Sequence, residues 1–196
     1  RYTASFKLGV TTDTLDITGK VLSQRESGVT KEQIVAVLDN FRGEIEQVPP
    51  MYSALKVDGK KLVDLAREGI VIERQARKIT IYSLTLRETE AEGEYEIDGK
   101  CSKGTYIRTL IDDIGKKLGC GAVLTVLRRT RANGMSVENA VTVEQLEAAA
   151  ANGSLDSLII SVEKALESYQ LIHRECNLIQ TELEDICTDE QEKLRR

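Results

Sequence analysis

The chain has 196 residues, of which 41% are hydrophobic and 30% charged, a composition typical of a soluble globular protein. It contains no stretch of eighteen apolar residues, so we expect no transmembrane helix and no membrane partner. The net charge of −5 is unevenly distributed, with −1 over residues 1–50, +4 over residues 51–135 and −8 over residues 136–196. Only the middle segment is therefore suited to bind a polyanion.

The N-terminal part of the sequence predicts a strand and a helix. Residues 1–8 alternate between polar and apolar side chains, as in a half-buried strand. The apolar face of this strand carries Tyr2, Ala4, Phe6 and Leu8. Thr30 and Gln33 have the spacing of a capping box, and they open a helix that ends before Gly43.

A loop with turn-forming residues follows this helix. The pair Pro49-Pro50 excludes regular structure, and Asp58-Gly59 is typical of a tight turn. A short helix is predicted from about Lys61 to Glu68.

The rest of the chain predicts strands interrupted by helices. The strands are expected at residues 70–73, 77–87, 94–101 and 122–130. Residues 105–118 have the apolar spacing of a helix, and another helix is expected from Thr142 to Ala151. Mostly antiparallel strands with inserted helices indicate an α+β domain. The acidic tail beyond Ser168 is either a frayed helix or disordered.

The cysteines and the single histidine limit redox and metal chemistry. The four cysteines form no C-x-x-C pair and have no zinc-finger spacing. This pattern indicates free thiols in a reducing cytoplasm and no metal site. A disulfide between Cys176 and Cys187 is the alternative.

Arg108 stands where helix chemistry favours an acid. It lies in the first turn of the helix predicted for residues 105–118, where exposed N–H groups already make the potential positive. With Tyr106, Lys103 and the Gly104 turn beside it, its guanidinium is placed to hold a carboxylate or a phosphate at two points. The alternative is that Arg108 is a solvated surface residue.

Two further features are candidates for nucleic-acid contact. The loop after the proline pair combines cations with an aromatic residue: Tyr52, Lys56, Lys60, Lys61 and Arg67. Such a composition suits a nucleic-acid backbone, although a merely soluble loop would have it too. Tyr2 lies on the buried face of the first strand, where a tyrosine taken alone is plain core.

Four phrases in this order resemble the bacterial TruB family of tRNA pseudouridine synthases: RYTASFKLGVTTDTLDITG, QVPPMYSALKVDGKKL, CSKGTYIRTLIDDIGKKLGCGA and LRRT. The resemblance covers residues 1 to about 148. It implies a pseudouridine-synthase-like fold, a mixed and mostly antiparallel sheet with flanking helices and an inserted RNA-binding loop. It also implies that a uridine in the TΨC loop of tRNA is flipped into a pocket and isomerised to pseudouridine without a cofactor.

The resemblance assigns roles residue by residue. Tyr2 resembles the tyrosine that stacks on the target base, Tyr106 a second aromatic of the pocket, and Leu127 the apolar residue that closes it. Arg108 resembles the arginine that pairs with the catalytic aspartate, and Asp16 a further carboxylate in the network of that arginine. For contact with the tRNA backbone, we expect the cations of the inserted loop and Lys103 to serve.

The catalytic aspartate of the family lies upstream of Tyr2, in a G-T-L-D-P phrase that is not in this sequence. We therefore expect residues 1–150 to be an N-terminally truncated catalytic domain, and the chain alone to be inactive. Residues 151–196 are expected to be an acidic helical or disordered tail, without the Gly-rich pattern of an RNA-binding C-terminal domain.

Two other classes of function are compatible with these features. One is an RNA-binding or tRNA-remodelling module without catalysis, and the other is a structural half-domain that folds only with an upstream segment. The partner that we expect is tRNA, bound at its TΨC stem-loop, and the chain is expected to be a monomer.

Overall fold

The computed structural model describes residues 1–87, 89 and 93–166, and it divides into two compact units. The first unit comprises Arg1–Thr130, and the second begins at Arg131. The first contains, in chain order, β1 (Tyr2–Leu8), β2 (Val10–Thr12), β3 (Val21–Gln24), α1 (Lys31–Leu38), β4 (Gly43–Gln47), β5 (Lys56–Val57), β6 (Lys60–Lys61), α2 (Leu62–Arg67), β7 (Arg77–Arg87), β8 (Glu94–Cys101), α3 (Ile107–Lys117) and β9 (Ala122–Arg129).

A five-stranded sheet with the order β4-β7-β8-β1-β9 forms the centre of the first unit. Every neighbouring pair of strands is antiparallel. On the free side of β9, Asp16 makes an isolated parallel bridge to Leu124. The sheet is therefore mixed and mostly antiparallel, and the predicted α+β class is confirmed.

The alternation in β1 places its apolar side chains in the core, as the sequence predicts. Ala4, Phe6 and Leu8 are buried, and Tyr2 is half-buried at the end of the strand. Two helices cover this face of the sheet. They bury Ile34 and Leu38 of α1 and Ile107, Leu110, Ile111 and Ile114 of α3. Each such side chain contributes about 1.5 to 3 kcal/mol by leaving water.

Helix α3 is held unusually close to β9. A Cβ atom at Gly115 would lie 2.2 Å from the backbone nitrogen of Ala122, so only glycine permits this approach. The helix is followed, after its C-cap residue Leu118, by Gly119, whose φ of 76° is easy for glycine and costly for other residues. Arg25 then donates from Nε to the carbonyl of Cys120 over 3.1 Å. These contacts leave little freedom in the position of α3.

The strands of the sheet differ from the predicted ones at two places, residues 70–73 and β4. No strand forms at residues 70–73, where Val71 is exposed, so that prediction was wrong. The place beside β7 is taken instead by β4, which pairs Ile45 with Ile79. The GEIEQ sequence of β4 has too few apolar residues to be recognised by its pattern. Its long-range pairing with β7 stabilises it as an edge strand.

The second unit is smaller in its described part. It contains β10 (Arg131–Ala132), β11 (Met135–Ser136), α4 (Val143–Ala151) and α5 (Val162–Leu166). The capping box of Thr142 and Gln145 is present at the start of α4, as predicted. The predicted division of the chain at residue 150 stays a prediction. Most of the predicted tail, with Cys176 and Cys187, lies outside the described residues.

Within the described ranges, none of the helices combines the length and the apolarity needed to cross a bilayer.

Candidate functional site

Arg108 joins three segments that are distant in the sequence. Its Nη1 donates to Asp16 Oδ2 over 2.9 Å and to the carbonyl of Thr14 over 3.2 Å. Its Nη2 donates to the carbonyl of Tyr52 over 2.7 Å. The guanidinium therefore links the loop after β2, the loop after β4 and the first turn of α3. The side chains of Arg108 and Asp16 are 25% and 23% exposed, so this ion pair is largely shielded from solvent.

The other oxygen of Asp16 is held by its own loop. Asp16 Oδ1 accepts from the hydroxyl of Thr14 over 3.1 Å, and from both the N–H and the hydroxyl of Thr18. Burial acts to raise the pKa of Asp16, but the hydrogen bonds from Thr18, Thr14 and Arg108 together outweigh it. The pKa of Asp16 therefore lies below its ordinary value, and the carboxylate is ionised at neutral pH.

The loop that carries Asp16 is anchored to the edge of the sheet. Ile17 N–H donates to the carbonyl of Leu124 over 2.8 Å, and Leu124 N–H donates to the carbonyl of Leu15 over 3.3 Å. Leu15 has a φ of 65°, a left-handed conformation that is unusual for a residue with a branched side chain. The sheet thus holds Asp16 in place by backbone contacts on both sides of it.

Gln47, which was not predicted from the sequence, holds the residue at the start of α3. It is 3% exposed. Its Oε1 accepts from the N–H of Tyr106 over 2.8 Å, and its Nε2 donates to the carbonyl of Tyr106 over 3.1 Å. Tyr106 is the N-cap residue of α3, and its own side chain makes no capping hydrogen bond. No pattern in the sequence around Gln47 signals this role, because its partner Tyr106 lies 59 residues away.

Tyr2 and Leu127 lie at the same end of the sheet. Tyr2 pairs with Gly99 of β8 and with Arg129 of β9, and the Arg129 guanidinium stands over its ring at 5.4 Å. Tyr2 also lines a small apolar cavity together with Ile107, the first residue of α3. Leu127 pairs with Ala4 and is 45% exposed, a large fraction for a leucine. Tyr2 is therefore half-buried at the margin of the core, whereas Leu127 lies at the surface.

The predicted RNA-binding loop contains a short hairpin and a small hydrophobic core. Lys56, Lys60 and Lys61 lie on the two-residue hairpin of β5 and β6, whose turn is the predicted Asp58-Gly59 pair. Tyr52 packs on a small core formed by Met51, Leu62 and Leu65. All three lysines are exposed, as are Arg67 of α2 and Lys103 in the turn before α3. The loop is therefore an ordered excursion that presents cations to solvent.

In the described part of the chain, no group of three or more His, Cys, Asp or Glu side chains is placed to hold a metal ion.

The fold of this chain is that of a known class of proteins. The crystal structure of a Cbf5-Nop10-Gar1 complex contains a chain that superposes with a TM-score of 0.61 at 28% identity, over 85% of this chain and 42% of that one. A chain in the structure of an H/ACA RNP bound to a substrate RNA containing 2′-deoxyuridine has the same fold, with a TM-score of 0.55 at 24% identity.

Sequence comparison gives the family. The model described as TruB family pseudouridylate synthase (N terminal domain) matches residues 1–107, and the tRNA pseudouridylate synthase B C-terminal domain matches residues 108–167. The chain belongs to the TruB family. It is 46% identical over 172 residues to tRNA pseudouridine synthase B of Clostridium perfringens and 48% identical over 174 residues to that of Ectopseudomonas mendocina. These alignments cover 87% of this chain and 57% and 56% of the two relatives, so the chain spans little more than half their length.

Replacing Asp16 by Asn should lower the free energy of unfolding by about 1 to 2 kcal/mol at pH 7, because the hydrogen bond from Arg108 loses its charged acceptor. The folded-state pKa of Asp16 lies below the ordinary value of 3.8. Its stabilisation is therefore complete above that value and is lost as the pH falls through the folded-state pKa. Urea unfolding at a series of pH values measures the difference between the two proteins, which should shrink in acid.

The exposed Asp156 offers a control, since Asp156→Asn removes one charge outside this network. A stability difference for Asp16→Asn that stays constant from neutral to acid pH would contradict the account of Asp16.

Proposed function

We propose that this protein provides a large part of a tRNA pseudouridine synthase that isomerises a uridine of the TΨC loop. The observation that carries the proposal is the position of the Arg108 guanidinium. It lies at the N-terminus of α3 and is held there by Asp16 and by two backbone carbonyls. The relatives that are 46% and 48% identical to this chain are named tRNA pseudouridine synthase B. The proposed reaction breaks the bond between the ribose and N1 of uracil, joins the same ribose carbon to C5, and in net transfers the proton of C5 to N1. Atoms balance within the substrate.

Arg108 retains donors for a second acid. A guanidinium has five N–H groups, and three of them serve Asp16, Thr14 and Tyr52. Within the described residues, the N–H of Nε and one N–H of Nη2 therefore have no acceptor. A carboxylate can bind across Nε and Nη2 at two points. We assign this place to the catalytic aspartate that the family resemblance puts upstream of Tyr2, and to Asp16 the role of orienting the arginine.

The flipped base would lie against the aromatic residues at this end of the sheet. Tyr2 is half-buried beside the first residue of α3, and Tyr106 is fixed by Gln47 at the N-cap of the same helix. We propose that Tyr2 and Tyr106 contact the uracil ring and that Leu127, exposed on β9, closes the pocket. Stacking of a base on an aromatic side chain contributes about 1 to 3 kcal/mol, which helps to offset the cost of flipping.

The cations around this end of the first unit would contact the tRNA backbone. Lys56, Lys60 and Lys61 extend from an ordered hairpin, with Arg67 and Lys103 as further exposed cations. The link from Arg108 to the carbonyl of Tyr52 connects this loop to the proposed site. We propose that the chain acts on tRNA as a monomer.

The first test compares the 196-residue polypeptide with an extended protein, in which the residues preceding the matched region of the Clostridium perfringens relative are fused before Arg1. The polypeptide alone should form no pseudouridine in a tRNA transcript, because the catalytic aspartate that the family resemblance puts upstream of Tyr2 is not among its 196 residues. The extended protein should form it in single-turnover assays. Turnover by the 196-residue polypeptide would overturn the assignment and make Asp16 the first suspect. An inactive extended protein that still binds tRNA would favour an RNA-binding module.

Arg108→Lys in the extended protein tests the carboxylate-orienting role. Lysine keeps the charge but loses the planar fork, and a misplacement of about 1 Å can lower a rate on the order of a hundredfold. We expect a loss of that size in the single-turnover rate, with little change in tRNA affinity. Near-normal chemistry would exclude the role. A parallel loss of rate and affinity would indicate that Arg108 contacts the RNA itself.

The hairpin lysines can be tested by the salt dependence of tRNA binding. Each phosphate contact contributes about 0.7 to 0.9 units to the slope of log affinity against log salt, so Lys60→Ala with Lys61→Ala should reduce it by about 1.4 to 1.8 units. Lys164→Ala, a change in the acidic C-terminal part of the chain, is the control and should leave the slope unchanged. An unaltered slope in the double variant would show that the hairpin lysines do not contact the backbone.

A further inference from the structure

The loop between β4 and β5 is attached to the start of α3 at two points. Directly before the loop, the side chain of Gln47 makes two hydrogen bonds with the backbone of Tyr106. Five residues later, the carbonyl of Tyr52 accepts from Arg108. The two attachments are two residues apart on α3. The loop and the helix mouth are therefore constrained to move together.

The contact of Gln47 is more specific than the capping of a helix end. Its amide presents one acceptor and one donor to the two polar atoms of a single residue, as a neighbouring strand would. The carbonyl of Tyr106 also accepts the first intrahelical bond of α3, from Leu110 N–H over 3.0 Å. Gln47 thus fixes the orientation of the two peptide groups that flank Tyr106, the second of which is the group from which α3 starts. A shift of that group would move both Tyr106 and Arg108.

The side chain of Gln47 can do this because it is shielded from water. It is the last residue of β4, and it is buried although four of the five residues in this strand are polar or glycine. Losing one of its bonds would leave a buried polar atom without a partner, which costs about 1 to 3 kcal/mol. Asparagine is shorter by one methylene and would not span the same distance. Both the length and the chemistry of glutamine are required.

We infer that Gln47 is a positioning residue for the proposed isomerisation: it transmits the position of the loop that carries Tyr52 and the hairpin lysines to Tyr106 and Arg108. Binding of an RNA backbone to the hairpin would then stabilise the geometry of the reaction site. This inference rests on the proposed function, since it names a residue that acts on the same site without touching substrate.

The test uses Gln47→Met in the extended protein. Methionine has a similar volume and makes neither hydrogen bond. We expect the single-turnover rate to fall by about tenfold to a hundredfold, while the Kd for tRNA changes much less, because backbone contacts dominate affinity. In the same variant, the amide hydrogen of Tyr106 should exchange faster with solvent, because it has lost its buried acceptor.

Gln47→Glu is the second variant. It keeps an acceptor for the N–H of Tyr106 but turns a carboxylate oxygen toward the carbonyl of the same residue, so its rate should also fall. Gln33→Met is the matched control. Gln33 also accepts from an N-cap N–H over 2.8 Å, that of Thr30, but it belongs to the exposed capping box of α1. We expect the control to keep the unaltered rate and the unaltered exchange of Tyr106.

Three results would overturn the inference: an unaltered rate in Gln47→Met, an equal loss of rate and of affinity, or the same loss of rate in Gln33→Met. These failures differ from a failure of the proposed function. If the unaltered extended protein forms no pseudouridine, the function and the inference are both wrong. If it does, and one of the three results is found, only the inference is wrong.

Discussion

The arrangement of the site depends on one ion pair that is largely out of water. Placing Arg108 and Asp16 at about a quarter exposure carries a desolvation cost, which is offset only if most of their polar atoms are satisfied. Asp16 meets this condition through the threonines on either side of it, and Arg108 through two backbone carbonyls. Removing either partner would leave the other charged, partly buried and unpaired. The pair therefore constrains all three segments that it joins.

The sheet supplies the rigid frame for this pair. β1 lies between β8 and β9, so the strand that carries Tyr2 is hydrogen-bonded on both sides. The close approach of Gly115 to Ala122 fixes α3 against β9, and backbone bonds to Leu124 fix the Asp16 loop on the same strand. The left-handed conformation of Leu15 costs on the order of 1 kcal/mol, and these bonds hold it in place. Helix α3 and the Asp16 loop are thus both held against β9, which brings Arg108 and Asp16 together.

Some N–H groups of Arg108 have acceptors in the site, and others are left for a further partner. Asp16 and the two carbonyls occupy three donors of Arg108, and the remaining donors face no acceptor within the described residues. The relatives are longer than this chain, which spans 57% and 56% of two of them. An arginine that is already oriented and still has two donors is suited to hold a further acid in a defined direction. This property distinguishes it from an arginine that supplies only positive potential.

Local patterns in the sequence determined the elements whose causes lie within a few residues. The alternation of β1, the capping boxes at Thr30 and Thr142, the apolar stripe of α3 and the Asp58-Gly59 turn were predicted and are present. The resemblance to a family also singled out Arg108 and Asp16 as members of one network, and the structure brings them into contact. Each of these features follows from the spacing of residues along the chain or from a sequence motif.

Only the tertiary structure decided the contacts between distant segments. It placed β4 beside β7 and left residues 70–73 without a strand, because pairing partners at a sheet edge are selected by long-range packing. It also brought Gln47 to Tyr106 across 59 residues, a contact that no local pattern encodes. A glutamine before a proline pair has no distinct signature of its own. Its importance arises from burial, since removal from water is what makes its two hydrogen bonds costly to lose.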